Sequence, residues 1–205
     1  MKRFFEIGGV VAGVVLIAFG VAAIVLGHNG KNTVASELKM QQIVGTPDMT
    51  PTAITAEAKG AGLNIAATPI PTCTVANLAI TNGDRARCFA QYMRIHTLEA
   101  TQGVPYSQMP RYATADGKGT NDATKALQQN GQPVDNAARN IWVTETALTT
   151  ALNSSYMAEQ MANFGMVVGV ALLLSGFGFV ILALGGALEN GLAFAKRPVK
   201  EPLAA

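Results

Sequence analysis

The sequence predicts an all-α fold: a membrane hairpin of two transmembrane helices carrying a mainly helical, disulfide-containing extracytoplasmic domain. Three observations predict it. Two uncharged apolar runs, Ile7 to Gly27 and Phe164 to Leu188, lie toward the two ends of the 205-residue chain. Basic residues flank those runs on their terminal sides, Lys2 and Arg3 before the first and Lys196, Arg197 and Lys200 after the second. The only two cysteines, Cys73 and Cys88, fall in the segment between them.

The second run, FGMVVGVALLLSGFGFVILALGGAL, has 25 residues and no charge. At about 1.5 Å rise per residue it reaches roughly 37 Å as a helix, more than the ~30 Å hydrocarbon core of a bilayer. The first run, IGGVVAGVVLIAFGVAAIVLG, has 21 residues between Glu6 and His28, close to the minimum that crosses without strain. A cleaved signal peptide is the competing reading. Its apolar region is typically about 7–15 residues and ends in a small-x-small site, whereas this run is longer and ends in AIVLGHNG. An uncleaved anchor is therefore expected. With 49% hydrophobic and 14% charged residues, the composition suits two spans and one domain rather than a soluble chain or a many-span bundle.

The flanking charges set the orientation, because cytoplasmic ends of spans carry the excess of Lys and Arg. Residues 1–6 and the basic tail 189–205 are then cytoplasmic, and residues 28–163 are extracytoplasmic. That outer segment holds ten Lys/Arg and ten Asp/Glu, so the net charge of +2 belongs to the ends. A neutral domain with no basic stripe gives nucleic acid nothing to bind. Two cysteines in an oxidising compartment are expected to pair. A metal or thiol-catalytic reading would want histidines nearby, and the chain has only His28 and His96.

Taken in order, the first helix is expected to pass a flexible patch at His28-Asn29-Gly30 and continue through KNTVASELKMQQIV, with Val34 and Leu38 on one face, until Gly45-Thr46-Pro47 ends it. A short helix follows, with Thr50 as N-cap, Pro51 at the first helical position and Gly60 as the stop. Residues 60–83 form a loop with at most a short extended piece. Asn82-Gly83-Asp84 opens a clearer helix whose inward face is Phe89, Tyr92, Met93, His96 and Ala100, closed by Gly103 and Pro105. Residues 104–133 are irregular, with Asp122 to Gln129 the one short helix they could support and DGKGT a turn. Asn136 to Leu188 is one long helix with Ile141, Leu148, Ala151, Leu152 and Ser155 along its packed side. Its β-branched residues give low intrinsic propensity, so packing must hold it. The outer halves of the two long helices are expected to meet through Val34 and Leu38 against Leu148 and Leu152.

Small residues recur within both spans. Gly13, Gly20 and Gly27 repeat every seven residues, Gly9 adds a G-x-x-x-G with Gly13, and the second span offers Gly165, Gly169, Gly176 and Ala183. In lipid, small residues let backbones approach closely. These eight positions are the expected packing seam between the spans. Neither span has an ionisable residue, so a channel or pump built from this chain alone is not expected.

Catalytic signatures are absent. There is no G-x-S-x-G, H-E-x-x-H, dinucleotide glycine fingerprint or C-x-x-C, and DGKGT departs from the phosphate-binding loop and from the calcium loop. His96 and Glu99 in HTLE have the i, i+3 spacing used in carboxylate-bridged di-metal bundles, which need a second such motif and two further glutamates. The second motif is missing, and His96 is read as a partly buried interface residue. Phe89, Tyr92, Tyr106, Tyr112, Trp142 and Tyr156 are read as core fillers. No catalytic, cofactor-binding or metal-ligating residue is expected.

The stretches KRFFEIGGVVAGVVLIAFG, QQIVGTPDMTP, RARCFAQYMRIHTLEAT, YSQMPRYAT, NIWVTETALTTALN and SYMAEQ resemble a family of small actinobacterial two-span membrane proteins over nearly the whole chain. Its members are often named aromatic ring-opening dioxygenase, small subunit. An extradiol iron site takes two histidines and a carboxylate, whereas His28 stands at the end of a span and His96 in mid-helix. The resemblance implies a bacterial cell membrane location and the two-span topology, and no mechanism. Its partners are then the lipid bilayer and either another membrane protein or a second copy of the chain. The expected role is a non-catalytic accessory or docking subunit of a membrane or envelope complex. A membrane-anchored ligand-binding or sensor domain is the alternative, and an enzyme subunit a third.

Overall fold

The computed structural model describes residues 2–185. The tail 189–205 and the last residues of the second apolar run, 186–188, lie outside them, as does Met1. The described residues form four helices, α1 (Lys2–Met40), α2 (Pro51–Gly60), α3 (Gly83–Ala100) and α4 (Ala137–Leu184), with a 3-10 turn at Tyr106–Gln108 and a hairpin of two-residue strands, β1 (Gln128–Gln129) and β2 (Gln132–Pro133). The chain divides into two compact units. One comprises Met1–Lys31 with Met161–Ala205, the other Asn32–Gln160.

Each helix of the larger unit begins where the sequence supplies a cap. Thr50 accepts from the Ala53 N–H with Pro51 at the first helical position. Asn82 accepts from the Arg85 N–H at 2.9 Å, and Asp84 stands in the first turn of α3. Both satisfy N–H groups that have no partner inside the helix and so fix its start. Replacing Asn82 with alanine should cost about 1 kcal/mol, and Asn82→Asp should cost almost nothing. Thermal unfolding of the two variants side by side checks this. At Gly83, next to the cap, α3 approaches α4 closely. A Cβ there would sit 2.7 Å from Tyr156 Cα, and the Gly83 N–H donates to Glu159 of α4.

The ends of the helices fall differently from the sequence expectation. α1 runs through His28-Asn29-Gly30 without a break and stops at Met40, five residues before Gly45, because Gln42 adopts a left-handed conformation (φ 52°). α2 does end at Gly60, but the left-handed residue is Gly62 (φ 74°), whose N–H returns to the Lys59 carbonyl. Past α3, Gln102 (φ 55°) and Gly103 (φ 76°) make the reversal that Gly103 predicts. The expected helix at Asp122 to Gln129 does not form. Asp122 instead accepts from the Thr124 N–H and hydroxyl in a local turn, and Asn130-Gly131, both at positive φ, close the β1–β2 hairpin. Asn-Gly is the favoured dipeptide for a two-residue hairpin of this twist, and it outweighs the modest helix propensity around it.

The core of the larger unit is built on α3. Tyr92, Ile95, Ala86, Cys88, Phe89 and Ala90 of α3 are buried together with Leu38, Met49, Ile54, Ala58, Val75, Ile80 and Leu152. These residues come from all four helices and from the loop at 75–80, whose backbone pairs with residues 43–45. α3 is therefore covered on several sides. That is why its buried set includes Ile95 and Thr97 while Ala100, expected inward, is exposed. The packed side of α4 keeps Leu148, Leu152 and Ser155 as expected and is turned by about one residue at its start. Trp142, Glu145 and Leu152 are buried, whereas Ile141 is 39% exposed and Ala151 is exposed. Trp142 decides that rotation, since its ring buries more area than any aliphatic alternative and its Nε1–H reaches the Val104 carbonyl at 3.0 Å. Val34 and Leu148 pack against the core that contains Leu38 and Leu152.

Cys73 and Cys88 are bonded, with Cα atoms 6.1 Å apart. The bond ties the 60–83 loop to the first turns of α3. Beside it, the buried Tyr92 hydroxyl donates to the Cys73 carbonyl at 2.6 Å.

The smaller unit is an antiparallel pair formed by the N-terminal part of α1 and the C-terminal part of α4. Both parent helices are long and apolar enough to cross a membrane, and their most apolar windows are only 11% and 17% buried. Phe4, Ile7, Phe19 and Leu26 on one helix, and Phe164, Leu174 and Ile181 on the other, are more than half exposed.

Candidate functional site

The pairing surface of the smaller unit is glycine. A Cβ on Gly13 would lie 2.7 Å from the Gly176 carbonyl oxygen, and one on Gly176 equally close to that of Gly13. The same reciprocal contact, at 2.8 Å, joins Gly20 and Gly169. Gly27 faces the Ala162 carbonyl and Met166. The backbones thus approach until only a hydrogen fits between them, and the seven-residue repeat brings one such position to the interface every two turns. Ala183 is buried, 1% exposed. Gly165 sits at the margin, where an added Cβ would touch only the Ala23 carbonyl at 4.0 Å. Gly9 is partly buried. The repeat of seven carries the contacts at Gly13, Gly20 and Gly27.

In the larger unit, chemistry gathers around His96. Its Nε2 lies 2.6 Å from Asp48 Oδ2. Asp48 precedes the N-cap of α2 in a loop pinned by buried Met49, whose carbonyl accepts from the Val75 N–H and the Thr74 hydroxyl. Glu57, two turns into α2, brings a third donor. The nearest donor atoms of Asp48, Glu57 and His96 lie within 4.8 Å of one another, the one such group among the described residues. Glu99 lies one turn beyond His96 on α3, and its Oε1 is the one buried side-chain polar atom among the described residues without a hydrogen-bond partner.

The electrostatics follow from that crowding. Burial works against ionisation of Asp48, but a hydrogen bond from Thr46, its own backbone N–H and the adjacent His96 outweigh it and hold its carboxyl below the usual range. Glu99 is pushed above the usual range, first by burial and then by the negative charges of Glu57 and Asp48, with His96 opposing. Burial, reinforced by Asp48, raises the Tyr92 hydroxyl, which stays neutral and keeps its bond to Cys73. Three carboxylates thus share one imidazole.

Sequence reasoning singled out His96 and Glu99 by their i, i+3 spacing and missed Asp48 and Glu57. No local pattern could supply them, because Asp48 and His96 are 48 residues apart and meet only when α2 docks on α3. His28, the other histidine, is exposed on α1. Of the aromatics expected in the core, Phe89, Tyr92 and Trp142 are buried. Tyr106 is 43% exposed and instead carries Arg139, whose guanidinium sits 4.5 Å from the ring centre and donates to the Tyr106 hydroxyl. Tyr112 and Tyr156 are half-buried under Arg111 and Arg87. With Arg94 over Trp142, four arginine–aromatic stacks are present among the described residues. A separate cleft of about 210 Å³, lined by Pro69, Ile70, Pro71, Arg94, Ile95 and Leu98, is smaller than the roughly 300–1,000 Å³ of small-molecule sites.

No family model, curated protein or solved structure matches the chain.

Proposed function

We propose that the protein is a non-catalytic integral membrane protein of the cell envelope, in which a two-span hairpin holds a helical domain outside the membrane as an accessory or docking subunit. The observation that carries this reading is the mismatch between the apolar helices and their burial. In a core helix of a soluble protein most residues are buried, whereas only 11% and 17% of the most apolar windows of α1 and α4 are. So large an exposed apolar surface on a soluble protein would be an aggregation hazard. In a bilayer it is simply the lipid-facing side, and the glycine contacts supply the close packing that holds helices together where hydrophobic burial cannot.

Orientation in this reading rests on charge. Lys2 and Arg3 at one end, and Lys196, Arg197 and Lys200 at the other, favour cytoplasmic termini. The Cys73–Cys88 bond suits an oxidising exterior. An antiparallel hairpin puts both termini on one side, as these charges require. The accessory role follows from what the spans lack. With no ionisable residue between Ile7 and Gly27 or between Phe164 and Leu188, they provide a fixed anchor and no pathway. Purification from mild detergent tests the role. A stoichiometric membrane-protein partner, or a stable homo-oligomer, is the expected result; a chain that stays monomeric and retains a small molecule would point to a ligand-binding domain.

A further inference from the structure

We propose that Asp48, Glu57, His96 and Glu99 form a binding site for one divalent transition cation of the Mn²⁺ or Zn²⁺ kind. Three donors converge from three separate segments, the loop before α2 (Asp48), α2 itself (Glu57) and α3 (His96), and Glu99 follows His96 by one turn of α3. Two donors on opposite sides of a cation, each about 2.2 Å from it, would be roughly 4.4 Å apart. The Asp48, Glu57 and His96 donors lie within 4.8 Å of each other; the cation takes the place of the proton between Asp48 and His96, whose donor atoms at 2.6 Å part to the roughly 3 Å that separates neighbouring ligands of one cation. Glu57, which is exposed, can close in by turning its side chain. Asp48 is already held beside His96 by the pinned loop around Met49.

Glu99 is the independent sign that a ligand belongs here. A buried carboxylate oxygen without a hydrogen-bond donor costs stability, and among the described residues Glu99 Oε1 is the one side-chain atom in that position. No ammonium or guanidinium is ion-paired to this cluster among the described residues; its ion pair is His96 with Asp48. A dication held by Asp48, Glu57 and His96 would offset their charge directly and would attract the Glu99 carboxylate, which already feels the charges of Glu57 and Asp48. One imidazole among carboxylate oxygens selects for metals of intermediate hardness, Mn²⁺ and Zn²⁺, over Ca²⁺ and Mg²⁺, which prefer all-oxygen shells, and over Cu⁺, which prefers sulfur. The site stands apart from the membrane reading above and does not depend on it.

Mn²⁺ is the direct probe, because its free-ion electron paramagnetic resonance signal disappears on binding and a ligated imidazole nitrogen adds its own modulation. Full-length protein in detergent should remove one equivalent of the free signal and show nitrogen modulation, and Zn²⁺ should displace the ion. Glu57→Gln changes an exposed residue and leaves the fold intact; it should weaken Mn²⁺ binding at least about tenfold. His96→Gln should abolish the nitrogen modulation, and Glu99→Gln should weaken binding while raising the melting temperature of the metal-free protein. Failure of the wild-type protein to bind Mn²⁺, or binding that Glu57→Gln and His96→Gln leave unchanged, overturns the site.

Discussion

Replacing Cys73 and Cys88 together by alanine is expected to lower the stability of the Asn32–Gln160 unit by about 2–5 kcal/mol, the largest effect of any change considered for it. The cysteines are 15 residues apart in sequence, and in the chain-entropy model closing a loop of that length is worth roughly 3 kcal/mol through the unfolded state alone. The folded state adds to this. Cys88 is 4% exposed within the core cluster, and fully buried Tyr92 hydrogen-bonds the Cys73 carbonyl. Once the bond is gone, the loop carrying Val75 and Ile80 keeps its backbone pairing with residues 43–45 and its hydrogen bonds to Met49 and Tyr92, but no covalent tie to α3. Thermal and urea unfolding of the double variant, followed by circular dichroism in detergent, should show the loss; adding reductant to the wild-type protein should reproduce it. A change under about 1 kcal/mol would mean that packing fixes the loop without the bond.

Introducing leucine at Gly20 or Gly169 is expected to separate the hairpin helices and cost about 1–3 kcal/mol. The obstacle at either position is backbone. A Cβ on Gly20 would meet the Gly169 carbonyl at 2.8 Å and one on Gly169 would meet that of Gly20, so rotating a side chain cannot relieve it. Gly178, with nothing within 4 Å of an added Cβ, is the matched control, and Gly178→Leu should be tolerated. Unfolding in mixed micelles, read by helix–helix energy transfer, distinguishes them. Equal behaviour at positions 169 and 178 would remove the glycine seam from the account.

Features encoded locally were legible in the sequence, and features made by tertiary contact were not. The caps at Thr50 and Asn82 depend on residues three apart, and the glycine repeat depends on residues seven apart, so both could be read from spacing. The inward faces of α3 and α4 were legible at Phe89, Tyr92, Leu148 and Leu152, while Ile95 and Thr97 were missed because α3 is covered on several sides. Trp142 rather than Ile141 sets the rotation at the start of α4. The hairpin at Asn130-Gly131 did carry its signal, but the surrounding Lys125 to Gln129 run has enough helix propensity to mask it. For the Asp48–Glu57–His96–Glu99 cluster, half the donors were visible as HTLE and half could not be, since α2 and α3 are brought together by the burial of Ile54 and Ala58 against Tyr92 and Ile95.

The central claim is that two spans place residues 28–163 outside with both termini in the cytoplasm, and protease access in intact spheroplasts tests it most directly. Cleavage should fall in the exposed Asp116–Gly119 turn, where Gly117 (φ 75°) and Gly119 (φ 74°) mark an irregular surface segment. Epitope tags on the N-terminus and on the C-terminus should both survive until the membrane is opened. Loss of either tag from intact spheroplasts, or protection of the 116–119 turn in them, would contradict the topology.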